Sequence, residues 1–197
     1  METMERYRRA QDGFDATLAA MPAGRWDAPS MCSEWTVRDV AGHVVWGQEQ
    51  LRAWATGAEY AVSTGAPGSP HPGELAGADP LATWREARAA GDATLTPETL
   101  ARLTAIPGLG EVSMAAVVTL LTTDLLAHSW DIGHALGLSV PLDQTLIPGS
   151  FEWARANVLR RPGFFGPELT PPAGTDDVEE VRWLAFLGRA AWQPVPA

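Results

Sequence analysis

The sequence predicts an all-α protein, and three observations lead to that prediction. Apolar residues recur at intervals of three and four in several segments, of which residues 113–137 are the longest. Helix-starting and helix-ending residues bound these segments. The glycine- and proline-rich stretch 57–79 has no periodicity of its own and separates two of them. We therefore expect a bundle of four main helices with long connections and short accessory helices.

The first two helices are predicted on either side of a short loop. Residues 3–20 carry aromatic and leucine side chains at helical spacing, and Pro22 follows them. Residues 25–35 contain proline and serine and are typical of a loop. Thr36 with Asp39 three positions later matches a capping box, so a second helix should begin there and run to about residue 56.

The rest of the chain carries the same kind of signal. One segment is apolar almost all round in its first half, which predicts a buried helix, and the others are amphipathic. In chain order we expect a third helix over 80–100, a hairpin turn over 106–110, the buried helix over 113–137, a helix over 147–159, an extended proline-rich stretch over 162–174 and a last helix over 176–192.

Length and composition limit the function. The 197 residues fit a single domain, 1–197, with a core over about 1–140 and an accessory segment over about 141–197. All 14 basic residues are arginine, which excludes Schiff-base and P-loop lysine chemistry. A net charge of -10 disfavours nucleic acid and anionic membranes as partners. One cysteine and no signal-like or membrane-spanning segment predict a soluble, cytoplasmic protein.

Ionisable residues on predicted buried helices are the candidates for a functional site. Asp124 and His128 lie one turn apart on the 113–137 helix, and Asp131 adjoins the same stripe. His43 lies between apolar neighbours on the second helix. Imidazoles and carboxylates on facing helices are how bundles build metal sites. The alternative from spacing alone is a hydrogen-bonded core histidine and a neutralising Asp124–His128 pair.

Several other residues allow two interpretations. Trp46 follows His43 by one turn and Trp130 follows His128 by two residues, so both could line a pocket, although core packing is the default for tryptophan. Arg38 is the first candidate to hold an anionic substrate group, and the alternative is that it forms a salt bridge at the surface. Cys32 is interpreted as structural. Trp84, Trp153 and Trp183 are expected in the core, His134 at the surface or rim, and His71 in solvent.

Three segments carry a resemblance to a known family. Residues 25–47 contain P-S-x-C-x-x-W-T-V-R-D-x-x-x-H, residues 120–137 contain H-x-W-D, and residues 164–189 contain FFGPELTPP. Together they resemble the actinobacterial metal-binding family related to mycothiol-dependent maleylpyruvate isomerase, within the DinB-like superfamily of four-helix bundles. The resemblance covers essentially the whole chain and implies the DinB-like fold. Because that superfamily often dimerises, it also suggests a homodimer.

The resemblance further implies a site and a reaction. It places one divalent metal ion, zinc in the first instance, on His43, Asp124 and His128, with mycothiol as a thiol cofactor and Asp131 as a neighbour of the ligands. It implies a transferase or isomerase that acts on a small electrophile. Relatives usually carry glutamate at position 124, and the isomerase has a larger C-terminal domain, so a substrate other than maleylpyruvate is favoured. The alternatives are a non-catalytic small-molecule or metal-binding protein and a metal-independent, cyclase-like enzyme.

Overall fold

The chain folds mainly into helices. The computed structural model describes residues 1–106, 109–160 and 163–195. In chain order these contain α1 (Thr3–Ala19), α2 (Val37–Thr56), a 3-10 helix (Pro72–Ala76), α3 (Pro80–Asp92), α4 (Pro97–Ala101), β1 (Leu103–Ile106), β2 (Gly110–Ser113), α5 (Met114–Leu136), α6 (Ile147–Asn157) and α7 (Glu179–Phe186).

Four of the helices form a bundle. Helix α1 packs against α5 and α3, and α2 packs against the same two helices. Each of the four therefore has two neighbours, which closes the bundle around one core. Helix α6 packs on α5, and α7 packs on α6. The predicted helical bundle with accessory helices is confirmed.

Large side chains fill the core. Trp84 and Trp183 are fully buried, as predicted, and the ring of Phe14 meets that of Trp84 edge to face with centroids 4.9 Å apart. Full burial of one such side chain contributes about 1.5–3 kcal/mol of hydrophobic stabilisation. Trp153 is half-buried and packs against the edge of the core, so its predicted place in the core holds only in part. His71 is exposed, as expected.

The ends of the two helices that matter most for the site follow local rules. The Thr36 hydroxyl accepts from the Asp39 N–H at 3.1 Å, and the Asp39 carboxylate accepts from the Thr36 N–H at 2.9 Å, which is the predicted capping box. The Ser113 hydroxyl caps the start of α5. Gly137 ends α5 at φ 62°, in the left-handed region where glycine carries no penalty.

Three predicted elements differ in length. The expected third helix is divided into α3 and α4, because Pro97 disfavours helical backbone at the preceding Thr96, whose hydroxyl instead caps α4. The last helix occupies only Glu179–Phe186, since Gly188 at φ 83° ends it. The helix predicted over 147–159 ends at Asn157.

The predicted hairpin is formed by β1 and β2, which pair antiparallel from Leu103 opposite Ser113 to Ile106 opposite Gly110. Residues 107 and 108 of its turn lie outside the described residues, and so does Pro162 of the predicted extended stretch. Across the described part of the chain, no helix has the length and apolar character needed to cross a membrane.

Glycine is required where α2 meets the 3-10 helix. A Cβ at position 42 would overlap the Pro72 carbonyl, whereas a Cβ at Gly13 of α1 would meet nothing within 4 Å. We expect Gly42→Ala to destabilise the protein by about 1–3 kcal/mol through overpacking. Gly13→Ala should stabilise it by up to about 1 kcal/mol through helix propensity. Urea unfolding of both variants checks the pair, and a stabilising Gly42→Ala would contradict the packing described.

Candidate metal centre

Two helices bring the three predicted ligands together. The Nε2 atom of His128 lies 3.3 Å from Asp124 Oδ1, and the Nε2 atom of His43 lies 3.8 Å from Asp124 Oδ2. The rings of the two histidines meet edge to face with centroids 5.1 Å apart. His43 is 7% exposed and His128 is 6% exposed. Two imidazoles therefore converge on one carboxylate at a nearly buried point between α2 and α5.

The other nitrogen of each imidazole is already bonded. His43 Nδ1 lies 2.7 Å from the carbonyl oxygen of Gly65, and because a carbonyl only accepts, this nitrogen carries the proton. His128 Nδ1 lies 3.0 Å from Asp131 Oδ2. Such bonds to Nδ1 fix the ring and leave Nε2 as the atom available to a metal in the neutral form.

Asp131 is itself held from the far end of the chain. It is fully buried, and Arg189 donates to both of its oxygens, with Nε–Oδ1 at 2.8 Å and Nη2–Oδ2 at 2.6 Å. The Cys32 thiol donates to Asp131 Oδ2 at 3.1 Å. Burial would raise the pKa of Asp131, but Arg189 and His128 hold it below its ordinary value. Asp131 is therefore an anion that orients His128.

The charges at the site are coupled. Burial opposes the ionised form of Asp124, yet His128 and His43 hold the pKa of Asp124 well below its ordinary value. Burial likewise opposes the cationic form of His128, yet Asp124 and Asp131 raise the pKa of His128 well above its ordinary value. In the metal-free protein a proton on His128 thus balances the buried carboxylates, and a metal ion would have to displace that proton.

The donor set fits a tetrahedral zinc ion. Zinc bonds of about 2.0–2.1 Å place neighbouring ligands about 3.4 Å apart, close to the separations found between Asp124 and the two histidines. Three protein ligands leave a fourth position open, which is the pattern of catalytic sites.

A second group of potential ligands, Cys32, His128 and Asp131, lies beside the first. It suits a cation less well, because Arg189 already occupies both oxygens of Asp131. The pKa of the Cys32 thiol is also raised by burial and by Asp131. We therefore assign the candidate centre to His43, Asp124 and His128.

The candidate centre opens into a large cavity of about 930 Å³. His43, Asp124 and His128 lie in its wall, together with Trp46. Trp35 packs over both imidazoles, with ring centroids 5.0 Å from His43 and 6.5 Å from His128. Other lining side chains that the sequence did not point to are Cys32, Trp54, Trp153 and Arg189.

Two predicted pocket residues lie elsewhere, and these predictions were wrong. Arg38 donates to the Asp27 carboxylate at 3.2 Å and to the Gly77 carbonyl at 2.9 Å, so it has the surface role that was the alternative. Trp130 stacks on His134 with centroids 4.5 Å apart and does not line the cavity. Trp130 lies about 200° around α5 from His128, which directs it away from the centre.

The sequence contained partial signals for the residues that were missed. Cys32 and Trp35 are in the same motif as His43, and Trp54 lies two turns beyond Trp46 on α2. No local spacing connects Arg189 or the Gly65 carbonyl to the histidines, because these contacts depend on how distant segments pack.

Comparison with known proteins gives one family. Residues 7–133 match the model of the mycothiol maleylpyruvate isomerase N-terminal domain. Uncharacterized protein Rv0738 of Mycobacterium tuberculosis (strain ATCC 25618 / H37Rv) is 35% identical over 195 residues, which cover 96% of this chain and 98% of that protein. Uncharacterized protein Rv0036c of the same strain is 30% identical over 177 residues, which cover 84% of this chain and 67% of that protein.

The fold has solved counterparts. A crystal structure of the mycothiol-dependent maleylpyruvate isomerase superposes with a TM-score of 0.60 at 14% identity and covers 76% of this chain and 68% of the other. A histidine-to-alanine mutant of that isomerase superposes with a TM-score of 0.56 at 15% identity and the same coverage. At such identities these structures support the fold alone.

Proposed function

Because the chain belongs to the family of the mycothiol maleylpyruvate isomerase N-terminal domain, we propose that it is a metal-dependent, mycothiol-using transferase or isomerase that acts on a small electrophile. The observation that carries this proposal is the convergence of His43 Nε2, His128 Nε2 and the Asp124 carboxylate on one point in the wall of a large cavity.

His43, Asp124 and His128 would hold the metal, with zinc as the first expectation. When bound, such an ion lowers the pKa of a coordinated thiol and so supplies a thiolate at neutral pH. Asp131 and the Gly65 carbonyl keep the two imidazoles turned toward that point. The tryptophans around the site give its surroundings a largely apolar surface.

A thiol from outside the chain is needed, since the protein's one cysteine is poorly suited to be the nucleophile. The Cys32 thiol donates a hydrogen bond to the buried Asp131 carboxylate, and burial together with that carboxylate raises the pKa of the thiol. A protonated thiol is a weak nucleophile. A low-molecular-weight thiol such as mycothiol fits this requirement and agrees with the name of the family.

Cobalt-substituted protein tests the proposal. Adding mycothiol should produce a thiolate-to-cobalt charge-transfer band in the near ultraviolet, because the thiol enters the open coordination position. The Cys32→Ser variant should give the same band, which would show that the sulfur is not the protein's own. If cobalt binds but no band appears with mycothiol in either protein, the proposed use of the thiol is wrong.

A further inference from the structure

The wall of the cavity indicates what kind of substrate accompanies the thiol. Trp46 and Trp54 of α2 and Trp153 of α6 line it, and all three are half-buried, in contrast to the fully buried Trp84 and Trp183 of the core. Half-buried tryptophans gathered around one cavity offer a large apolar surface to a ligand. Further apolar lining comes from Ile106, Leu109, Leu120, Leu121, Leu159 and Phe165.

The tryptophans nearest the candidate centre present carbon surface. The indole N–H is the one polar group of tryptophan. In Trp35 it donates to the Ser69 carbonyl at 2.9 Å, and in Trp46 it donates to the Val62 carbonyl at 2.6 Å. Both donors are therefore bonded to carbonyls of the loop between α2 and the 3-10 helix. The two rings remain for van der Waals and stacking contacts.

Positive charge is scarce in the described lining. Arg189 is the one lysine or arginine among the described residues that line the cavity. Its Nε and Nη2 donate to Asp131, and its Nη1 donates to the Leu187 carbonyl at 3.1 Å. This guanidinium is thus already paired with a buried carboxylate, and releasing it to a substrate would take from Asp131 the one partner that contacts both of its oxygens.

Negative charge is present instead. Glu34 lines the cavity and has a left-handed backbone at φ 73°, which is uncommon outside glycine. Asp124 adds a second carboxylate at the candidate centre. A substrate carboxylate that lies away from the candidate metal centre would meet these like charges and would lose hydration without a lysine or arginine partner among the described lining residues, which weakens binding.

From these observations we propose that the substrate of this site is an uncharged, largely apolar electrophile of about the size of an aromatic ring system, and not a small dicarboxylate. The proposal rests on the proposed function for the reaction, but binding of an apolar ligand in this cavity does not need the metal. The two proposals can therefore fail separately.

A matched pair of fluorescent probes tests the charge preference. Methyl 2-naphthoate and the 2-naphthoate anion share a ring system and differ in charge at neutral pH. Each probe is titrated with metal-free protein and with zinc-loaded protein saturated with mycothiol, and binding is followed by the fluorescence anisotropy of the probe. In both forms of the protein the ester should bind at least about tenfold more tightly than the anion. Trp54→Ala should weaken ester binding by about tenfold, whereas Leu103→Ala, on the exposed part of β1, should leave it unchanged.

A cation introduced into the wall should reverse the preference. Gln50 is partly buried in the lining, so Gln50→Arg adds a guanidinium there, and Gln50→Met is its uncharged control. The arginine variant should bind the anion at least about tenfold better than the methionine variant does. Wild-type protein that binds the anion as tightly as the ester, or that binds neither probe, would overturn the proposal, whatever the cobalt and mycothiol experiment shows.

Discussion

Replacing Arg189 with methionine is expected to lower the free energy of unfolding by about 3–5 kcal/mol. The guanidinium donates to both oxygens of Asp131, whose side chain is fully buried, and Arg189 itself is only 12% exposed. Methionine fills a similar volume but removes the guanidinium, so the buried carboxylate keeps only His128 and the Cys32 thiol as partners. Urea denaturation measures this difference in the free energy of unfolding. The dependence of that free energy on urea concentration is compared between the two proteins, because a change in it would indicate a changed unfolded state.

The chain offers a matched control for this variant. Arg85 donates to both oxygens of Asp15 with the same fork geometry, but its side chain is 55% exposed. Arg85→Met should therefore change stability far less, because water screens that pair. The double variant Arg189→Met with Asp131→Asn should recover part of the loss, since the carboxylate that loses the guanidinium is then neutral. Equal losses for Arg189→Met and Arg85→Met would contradict the role given to burial.

Substitution of the candidate ligands should have the largest effect on metal binding. Asp124→Asn keeps the shape of the side chain but supplies a neutral amide, so zinc affinity should fall by more than about a hundredfold. Asp131→Asn should lower it by about 10–100-fold, because Asp131 orients His128 without touching the site itself. Competition with a chromogenic chelator measures both affinities.

His134→Ala is the control for these variants, since His134 is on the same helix but stacks on Trp130 outside the cavity. Zinc affinity should be unchanged in it. Similar losses in His134→Ala and Asp124→Asn would indicate that the effect comes from the helix and not from the site.

The same site predicts the direction of a pH dependence. Despite burial, Asp124 and Asp131 raise the pKa of His128 in the metal-free protein, so a proton occupies the ring at and above its ordinary pKa. Zinc must displace that proton, and its affinity should therefore increase as the pH rises through the raised pKa. The affinity should decrease as the pH falls. Zinc titrations across this range would contradict the assignment if the affinity were independent of pH.

The sequence predicted what depends on spacing along one helix. Asp124 and His128 share a stripe because they are one turn apart, and the Thr36–Asp39 capping box is a local motif. His43 was placed with them through the family resemblance, and the structure brings its Nε2 to the same carboxylate. The helical spacing of apolar residues also predicted the bundle, since four segments each had an apolar face to bury.

The rest depended on contacts between distant segments. Arg189 reaches Asp131 across 58 positions, and the Gly65 carbonyl reaches His43 across 22, so neither contact has a signature in local sequence. Trp130 was misplaced because proximity in sequence was taken for proximity in space, although two residues along a helix turn the side chain to the opposite side. Trp153 has the apolar environment of a core residue in sequence, yet it lines the cavity wall.

The most direct test of the central claim is X-ray absorption at the zinc edge of the zinc-loaded protein, before and after mycothiol is added. The account predicts about one zinc ion per chain, with nitrogen and oxygen neighbours at about 2.0–2.1 Å and no sulfur, and then one sulfur neighbour at about 2.3 Å once mycothiol is present. Failure of the protein to retain zinc would contradict the account. A sulfur neighbour before mycothiol is added would also contradict it, because the ion would then lie nearer Cys32 than His43 and Asp124.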